Sequence, residues 1–280
     1  MTEKPHQPPA GVTFLAGLDR DLRIGLASEI RALWTHTSTA LEGNTLTLGD
    51  TAFVLQEGLT VSGKPLKDHQ EVIGHARAID LIYSLIDQRR RATADDLHQI
   101  HRAVQTEVVM DAFNPVGRWK VEPNGTSALL SSGASQWHDY AKPEIVPALM
   151  ETWLEMLDGA RRQEPSDRLD TYTDLHLGFT TIHPYADGNG RMARLLANIP
   201  VLEGGDPPVL ILPELRRDYI TRMGDWSVAR GAPQPGQALV PRIEPRSRLQ
   251  AFFTSVLQPA RDLVAIYRAR QADRAGPTSP

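Results

Sequence analysis

The sequence predicts an all-α fold: one mostly helical domain of 280 residues, interrupted by a short β-hairpin. Three observations point there. Apolar residues recur at helical spacing along most of the chain. Residues that start and stop helices flank those runs. Strands alternating with helices, the mark of a parallel sheet, do not occur in the pattern.

Residues 1–11 are polar and proline-rich, and residues 1–15 are expected to form a disordered arm. Leu22, Leu26, Ile30 and Leu33 predict a helix over 18–42. A second short helix is expected at 47–57, before glycine and proline interrupt in GLTVSGKPL. Val72, Ile79, Leu81, Ile82 and Leu85 carry a longer helix from Asp68 to the solvated run Arg89–Arg91. Thr93 is a good N-cap, and the acids after it suit the helix dipole. That helix is expected to reach about Glu107. Residues 111–135 lose the helical period, and a hairpin or loop centred on Pro123-Asn124-Gly125 is expected, because Asn-Gly accepts the positive φ of tight turns. Helices are expected again at 143–160, 169–182, just after Gly188, at 216–230 and at 247–270. GAPQPGQ reads as a loop and residues 273–280 as a loose tail.

Composition narrows the function. The net charge is −4, from 30 basic and 34 acidic residues. Broad electrostatic capture of nucleic acid needs a basic surface, so no direct nucleic-acid binding is expected. A local basic pocket for phosphate is still allowed. The chain has no cysteine, which excludes disulfides, thiol catalysis and cysteine-ligated metals. The N-terminal stretch MTEKPHQPPAG has no apolar core of a secretory signal, and no run of about eighteen apolar residues occurs. The expected location is therefore the cytoplasm, away from a membrane.

Chemistry concentrates in residues 182–198, IHPYADGNGRMARLLAN. Gly188-Asn-Gly190-Arg-Met-Ala193 fits the G-x-G-x-x-A pattern of dinucleotide folds. That pattern needs a continuous apolar strand before it. Here polar residues are mixed among Leu175, Leu177, Phe179 and Ile182, and the chain kinks at Pro184. A phosphate-binding loop at a helix N-terminus fits better. Gly188 and Gly190 let the backbone approach an anion, and the helix N–H groups and dipole favour it. Arg191 and Arg194, three apart, can both reach phosphates. Asp187 beside bound phosphates is a candidate Mg²⁺ ligand. His183 is a candidate general base. Each feature alone is ordinary: a loop histidine, a solvated arginine pair, an Asp-Gly-Asn-Gly turn. All five within twelve residues equip the loop for transfer of a phosphate-containing group. Elsewhere, Ser62-Gly63-Lys64 lacks the rest of a Walker loop and reads as a turn; Trp119 reads as packing and His176 as a core histidine.

His183-Pro-Tyr-Ala-Asp187-Gly-Asn-Gly-Arg191-Met-Ala-Arg194 resembles the signature of the Fic family, roughly His-x-Phe-x-Asp/Glu-Gly-Asn-Gly-Arg-x-x-Arg. The resemblance runs from about Ser38 to Tyr219. It implies a helical bundle with a hairpin flap and transfer of AMP from ATP, with Mg²⁺, to a Ser, Thr or Tyr hydroxyl of a target protein. It implies that His183 is the base and Asp187 the Mg²⁺ ligand. Gly188, Asn189 and Gly190 would cradle phosphates, Arg191 would hold the α/β region and Arg194 the γ-phosphate. Asn198 is similar to a family asparagine near the nucleotide, and Tyr219 to a family tyrosine. The segment Gly117–Leu130, including Arg118, Asn124, Gly125 and Thr126, resembles the flap that aligns a target strand. Tyr185 replaces the usual Phe, and a buried hydroxyl there needs a partner. Pro200 falls inside what is usually a continuous helix and should kink or end it. Surfaces between helices often dimerise in this family, so a homodimer is a candidate assembly, and self-modification is a candidate reaction.

The stretch Ser38-Thr-Ala-Leu-Glu42-Gly43-Asn44 matches the family's inhibitory helix, marked Ser/Thr-x-x-x-Glu-Gly/Asn. Gly43 reads as the helix stop. Ser38 and Glu42 stand one turn apart on one face. The resemblance implies that Glu42 pairs with Arg194 and takes the cation meant for the γ-phosphate. Removal of AMP, with Glu42 positioning water, and a nucleotide-sensing regulator without turnover are the alternatives. The expected organisation is N-terminal helices with the inhibitory helix at 16–65, a catalytic core at 66–235 and a C-terminal helical segment at 236–272.

Overall fold

The computed structural model describes residues 12–106, 113–162 and 168–275. Helices dominate, with one two-stranded antiparallel sheet among the described residues. The chain runs α1 (Arg20–Ala40), α2 (Leu48–Glu57), α3 (Leu66–Asp87) and α4 (Ala94–Val104), then strands β1 (Gly125–Leu129) and β2 (Ser135–Asp139). It continues through α5 (Val146–Arg161), α6 (Arg168–Ile182), α7 (Asn189–Leu196), α8 (Ile199–Glu203), α9 (Arg216–Arg230), α10 (Glu244–Ser255) and α11 (Gln258–Ala275).

Helix α6 is buried over most of its surface at the centre of the core, its acidic residues gathered on the side that meets Arg246. Tyr172, Leu175, Leu177, Phe179 and Ile182 are all buried, and α5, α7, α8 and α10 pack around it. Trp153 of α5 fills the interior and donates its indole N–H to the Leu175 carbonyl at 2.8 Å. One core cluster extends from Val12 to Tyr267, with a small satellite of Leu46, Val54 and Val72 under α2.

Helix ends follow their sequence signals. Thr93 forms a capping box with Asp96, and Thr47 forms another with Asp50. Helix α1 ends in a Schellman turn. Asn44 N–H donates to the Thr39 carbonyl and Gly43 N–H to Ala40, with Gly43 at φ 99°. The turn is then pinned to α3. Thr45 N–H and hydroxyl both donate to Asp68, and the Asn44 amide donates to Glu71 and to the Asp68 carbonyl. Pro200 has the expected effect: α7 stops at Leu196, and the proline sits in the first turn of α8, where its missing N–H costs little.

Four expectations need correction. Residues 12–15 are not part of a disordered arm: Thr13–Leu15 form a short 3-10 helix, and Val12, Phe14 and Leu15 are buried in the core. The hairpin does not turn on Pro123-Asn124-Gly125. It turns at Leu130–Ala134, where Gly133 takes φ 85° and Leu130 N–H donates to the Ala134 carbonyl. Gly125 instead opens β1 opposite Asp139, and its bare Cα lies under the Trp137 indole: a Cβ there would sit 2.6 Å from the ring. The single helix expected at 247–270 is two helices. Pro259 has no N–H to give to a carbonyl one turn back and its ring crowds that turn, so α10 ends at Ser255 and α11 starts afresh with this proline in its first turn, where the missing N–H costs little. Helix α4 ends at Val104, capped by Gln105; Glu107 lies outside the described residues.

The hairpin is seated on α9. Gly224 faces the backbone of β1 so closely that a Cβ would come 2.1 Å from the Leu129 carbonyl. Asp225 accepts from Ser131 N–H at 3.0 Å. Gly224→Ala is expected to destabilise the fold by about 1–3 kcal/mol through overpacking. Denaturant unfolding of the variant, against Gly231→Ala, where nothing lies within 4 Å and only the positive φ resists, measures it.

Candidate active site

Two helix ends meet in one loop, His183–Gly188. The N–H of His183 donates to the Phe179 carbonyl at 2.9 Å, closing α6 with His183 at φ 53°. This left-handed position usually belongs to glycine. A histidine there stores about 1–3 kcal/mol of strain. Pro184 contributes, because a following proline disfavours the right-handed helical region for His183. Gly188, at φ 76°, then opens α7.

The His183 ring stacks on Tyr140 at 3.7 Å and 7°. Burial pushes its pKa down to about 3, and the Lys120 ammonium adds to that. The Thr180 carbonyl and Asp187 oppose them only in part. The imidazole is therefore neutral at ordinary pH. Tyr140 also fixes the base of the hairpin, its N–H donating to the Asn124 carbonyl. Asn124 accepts from Lys120 and donates to the Tyr185 carbonyl, and Lys120 N–H donates to Pro184. Asn124 thus ties the flap to the loop. Thr126 lies in β1 and pairs with His138. Gly117 and exposed Arg118 precede the hairpin rather than forming it. Gly117, at φ 69°, accepts from Arg102 and donates to His101.

Two histidines on α4 brace the loop. Tyr185 is fully buried, stacks on His101 at 3.7 Å and bonds His98 Nδ1 through its hydroxyl at 3.1 Å. That supplies the partner its hydroxyl required. Gly117 N–H donates to His101 Nδ1, so Nε2 carries the proton and donates to the Asp187 carbonyl at 3.0 Å. Burial holds His101 near pKa 4, so this tautomer stays neutral. Their spacing of three on a helix was the available sequence signal, but nothing marked their partners.

Beyond the loop, Asn189 turns inward. Its Oδ1 accepts from Tyr185 N–H and its amide donates to the Tyr185 carbonyl. The Asn189 side chain therefore shapes the loop, leaving backbone N–H groups at the helix start for an anion. Arg191 donates to the Val104 carbonyl at 3.2 Å and to Gln105 Oε1 at 3.3 Å. Asp187 is exposed; its Oδ1 accepts from Gly188 N–H at 2.7 Å. Desolvation by the protein on its inner side raises its pKa, but the Gly188 N–H, Gln105 and Arg191 together hold it below the usual carboxylate range. Among the described residues no cluster of three His, Asp or Glu forms a metal site. A single exposed carboxylate fits a cation that takes its other ligands from phosphate and water.

Arg194 is buried and meets the end of α1. It donates to Glu42 Oε1 at 2.6 Å, to the Ser38 carbonyl at 2.9 Å and to the Ser38 hydroxyl at 3.1 Å. Glu42 keeps 41% of its side chain exposed, against 4% for Arg194. Gly190 lies beneath the pair: a Cβ there would come 2.7 Å from the Glu42 oxygen. Tyr219 also accepts from Arg194, which leaves its proton for His176 Nε2 at 3.0 Å. Arg216 Nε donates to the Leu41 carbonyl at 2.7 Å and holds the turn that aims Glu42. A cavity of about 290 Å³ opens among these groups, lined by Glu42, His183 and Asp187–Arg191, with Lys67, Glu71 and Gln105 on the α3 and α4 side. Asn198 does not join it. The Asn198 side chain is fully buried, accepting from Val209 N–H and donating to the Arg194 and Val209 carbonyls. Its amide is used up in joining the end of α7 to the segment at Val209.

Residues 91–200 match the model of the Fic/DOC family. The chain carries a Fic domain. It is 30% identical over 200 residues to the protein adenylyltransferase Fic-1 of Caenorhabditis briggsae, covering 69% of this chain and 37% of that protein. Against the protein adenylyltransferase Fic of Nematostella vectensis it is 32% identical over 187 residues, covering 66% and 40%. The chain thus spans about two fifths of the length of these curated relatives. A Fic-domain-containing signaling protein of Bacteroides thetaiotaomicron has the same fold, with a TM-score of 0.73 at 26% identity, covering 91% of this chain and 94% of that one. No helix among the described residues of this Fic protein is long and apolar enough to cross a membrane.

The buried histidines make stability depend on pH. His101, His176 and His183 have folded pKa values of about 4, 3 and 3, below the ordinary 6.5. The unfolded chain therefore binds more protons than the folded one below about pH 6.5. Their contribution is complete above that pH and is lost as pH falls toward 4, by about 1.4 kcal/mol per unit for each histidine. Urea unfolding at pH 7.5, 6 and 5 is expected to show a falling midpoint, and His176→Phe is expected to make the fall shallower.

Proposed function

We propose that this protein is an autoinhibited adenylyltransferase that moves AMP from ATP to a Ser, Thr or Tyr hydroxyl of a target protein. The observation that carries this is the Arg194–Glu42 pair at 2.6 Å, formed in the last turn of α7, with Glu42 lining the same cavity as the stacked His183. The similarity to proteins named as adenylyltransferases supports the reaction type.

His183 accepts the proton of the target hydroxyl, and the oxygen attacks the α-phosphorus of ATP. The bond from the α-phosphorus to the β-bridging oxygen breaks, and pyrophosphate leaves. The product is a phosphodiester between AMP and the target. The α7 backbone N–H groups and Arg191 hold the α and β phosphates. Arg194 is the cation for the γ-phosphate. A Mg²⁺ shared by Asp187 and the phosphates would neutralise charge on the departing pyrophosphate. While Glu42 holds Arg194, a carboxylate occupies the γ-phosphate position. ATP then cannot align its α-phosphorus for in-line attack, and rate is lost through misplacement. The hairpin stands where an extended target segment can pair with it.

Removal of AMP has its own support. Glu42 Oε2 has no hydrogen-bond partner among the described residues, and Glu42 lines the cavity. That oxygen can orient a water toward a phosphodiester. Incubation of wild type, Glu42→Gly and Glu42→Gly/His183→Ala with α-labelled ATP and Mg²⁺ tests the reading. Glu42→Gly is expected to raise self-labelling or lysate labelling at least tenfold, and the added His183→Ala to abolish it. Labelling of Glu42→Gly at the wild-type level would sink the autoinhibited transferase. ATP binding without labelling would point to a regulator without turnover, and AMP release by wild type from a labelled target would point to removal.

A further inference from the structure

Gln105 stands between two groups of opposite charge that the proposed reaction needs apart. It caps α4, and its side chain is almost wholly buried, at 3% exposure. Its Oε1 accepts from Arg191 Nη2 at 3.3 Å. Its amide nitrogen lies over Gly188, next to Asp187, and helps hold the Asp187 carboxyl below the usual carboxylate range. A Cβ on Gly188 would lie 2.8 Å from Nε2. An amide can do both jobs because one end accepts and the other donates. Arg191 and Asp187 form only a long ion pair, 3.9 Å from Nη2 to Oδ2, and not a closed bidentate one.

Arg191 and Asp187 lie four apart across the first turn of α7, the spacing at which opposite charges close into a pair. Arg191 is buried and Asp187 is exposed. A closed bidentate pair would occupy both carboxylate oxygens and half the guanidinium fork. Neither would then be available to phosphate or to a cation. The α4 terminus prevents this on both sides. The Val104 carbonyl, at the negative end of the helix, takes Nη1 of Arg191, and Gln105 takes Nη2.

We propose that Gln105 is a positioning residue that holds Asp187 and Arg191 apart, keeping the carboxylate open to a cation and the guanidinium open to phosphate. This rests on the reading of the cavity as an ATP site. Nothing within residues 91–107 of the sequence marks Gln105. It carries no charge and belongs to no motif. Its role follows from α4 ending where α7 begins.

The test is a mutant cycle read by binding, in EDTA, of a fluorescent ATP analogue to proteins that carry Glu42→Gly so that Arg194 is available. Gln105→Met keeps the volume over Gly188 but removes the acceptor for Arg191 and the amide beside Asp187. It is expected to weaken binding about five- to tenfold, because Asp187 closes on Arg191. Adding Asp187→Asn is expected to restore binding to the level of Asp187→Asn alone, because no charge is left to close. Gln105→Asn, one methylene shorter and still polar, is expected to behave like Gln105→Met, and serves if the methionine does not fold. Binding within twofold of the parent, or a loss that persists unchanged with Asp187→Asn, overturns the proposal and makes Gln105 a packing residue. Failure of the Glu42→Gly parent to bind the analogue overturns the ATP site itself, and the role of Gln105 with it.

Discussion

Burial of the Arg194 guanidinium sets the terms for everything around it. A charge at 4% exposure is held only where its donors are matched. Three elements do this: α1 through Ser38 and Glu42, α9 through Tyr219, and behind Tyr219 the α6 histidine His176. Of these partners Glu42 alone brings a negative charge, and it is the one that faces solvent. The neutral partners can stay when an anion is exchanged. Under the proposed function the phosphate of ATP takes the place of a carboxylate at one prepared cation. Gly190 leaves room for either, since no side chain rises from the floor of the site.

The loop before α7 is held as tightly as the cation is. Its strained histidine persists because neighbours on several sides over-determine it. Tyr140 lies on the His183 ring, Asn189 clasps Tyr185, and α4 supplies His98 and His101 beneath. The hairpin is joined to the same loop through Lys120 and Asn124. Under the proposed function, a target strand placed along the hairpin would be referenced to His183 without a long linkage. Placement of this kind, fixed before the substrates arrive, is the form of catalysis that needs least reorganisation.

Helices were legible in the sequence wherever the signal was local. The apolar period of α3, the capping box at Thr93 and the stop at Gly43 each act within a few residues. The loop from His183 to Arg194 was legible for the same reason: its groups are dense in one short stretch. The pairing of Glu42 with Arg194 crosses 152 positions, and only the family resemblance suggested it. Local signals also misled. Asn124-Gly125 has turn chemistry, yet Asn124 spends its amide on Tyr185 and Gly125 makes room for Trp137. Asn198, which the family resemblance set near the nucleotide, spends its side chain on Val209 and the Arg194 carbonyl. His98, His101 and Gln105 gave no sign of their partners, which lie more than 80 positions away. Contacts of that kind exist only once the core has folded.

Helix α1 is clamped at both ends. Near Glu42 the Schellman turn is fastened to α3, and Arg216 holds the last carbonyl. Along its other half α11 grips it. Tyr267 donates to Glu29 and lies against Gly25, and Arg274 reaches Asp19 and Asp21. A helix of 21 residues is a rod about 30 Å long. A rigid rod held at two places has one position to satisfy both, so the placing of Glu42 against Arg194 depends on the contacts that α11 makes as well as on those at the Schellman turn.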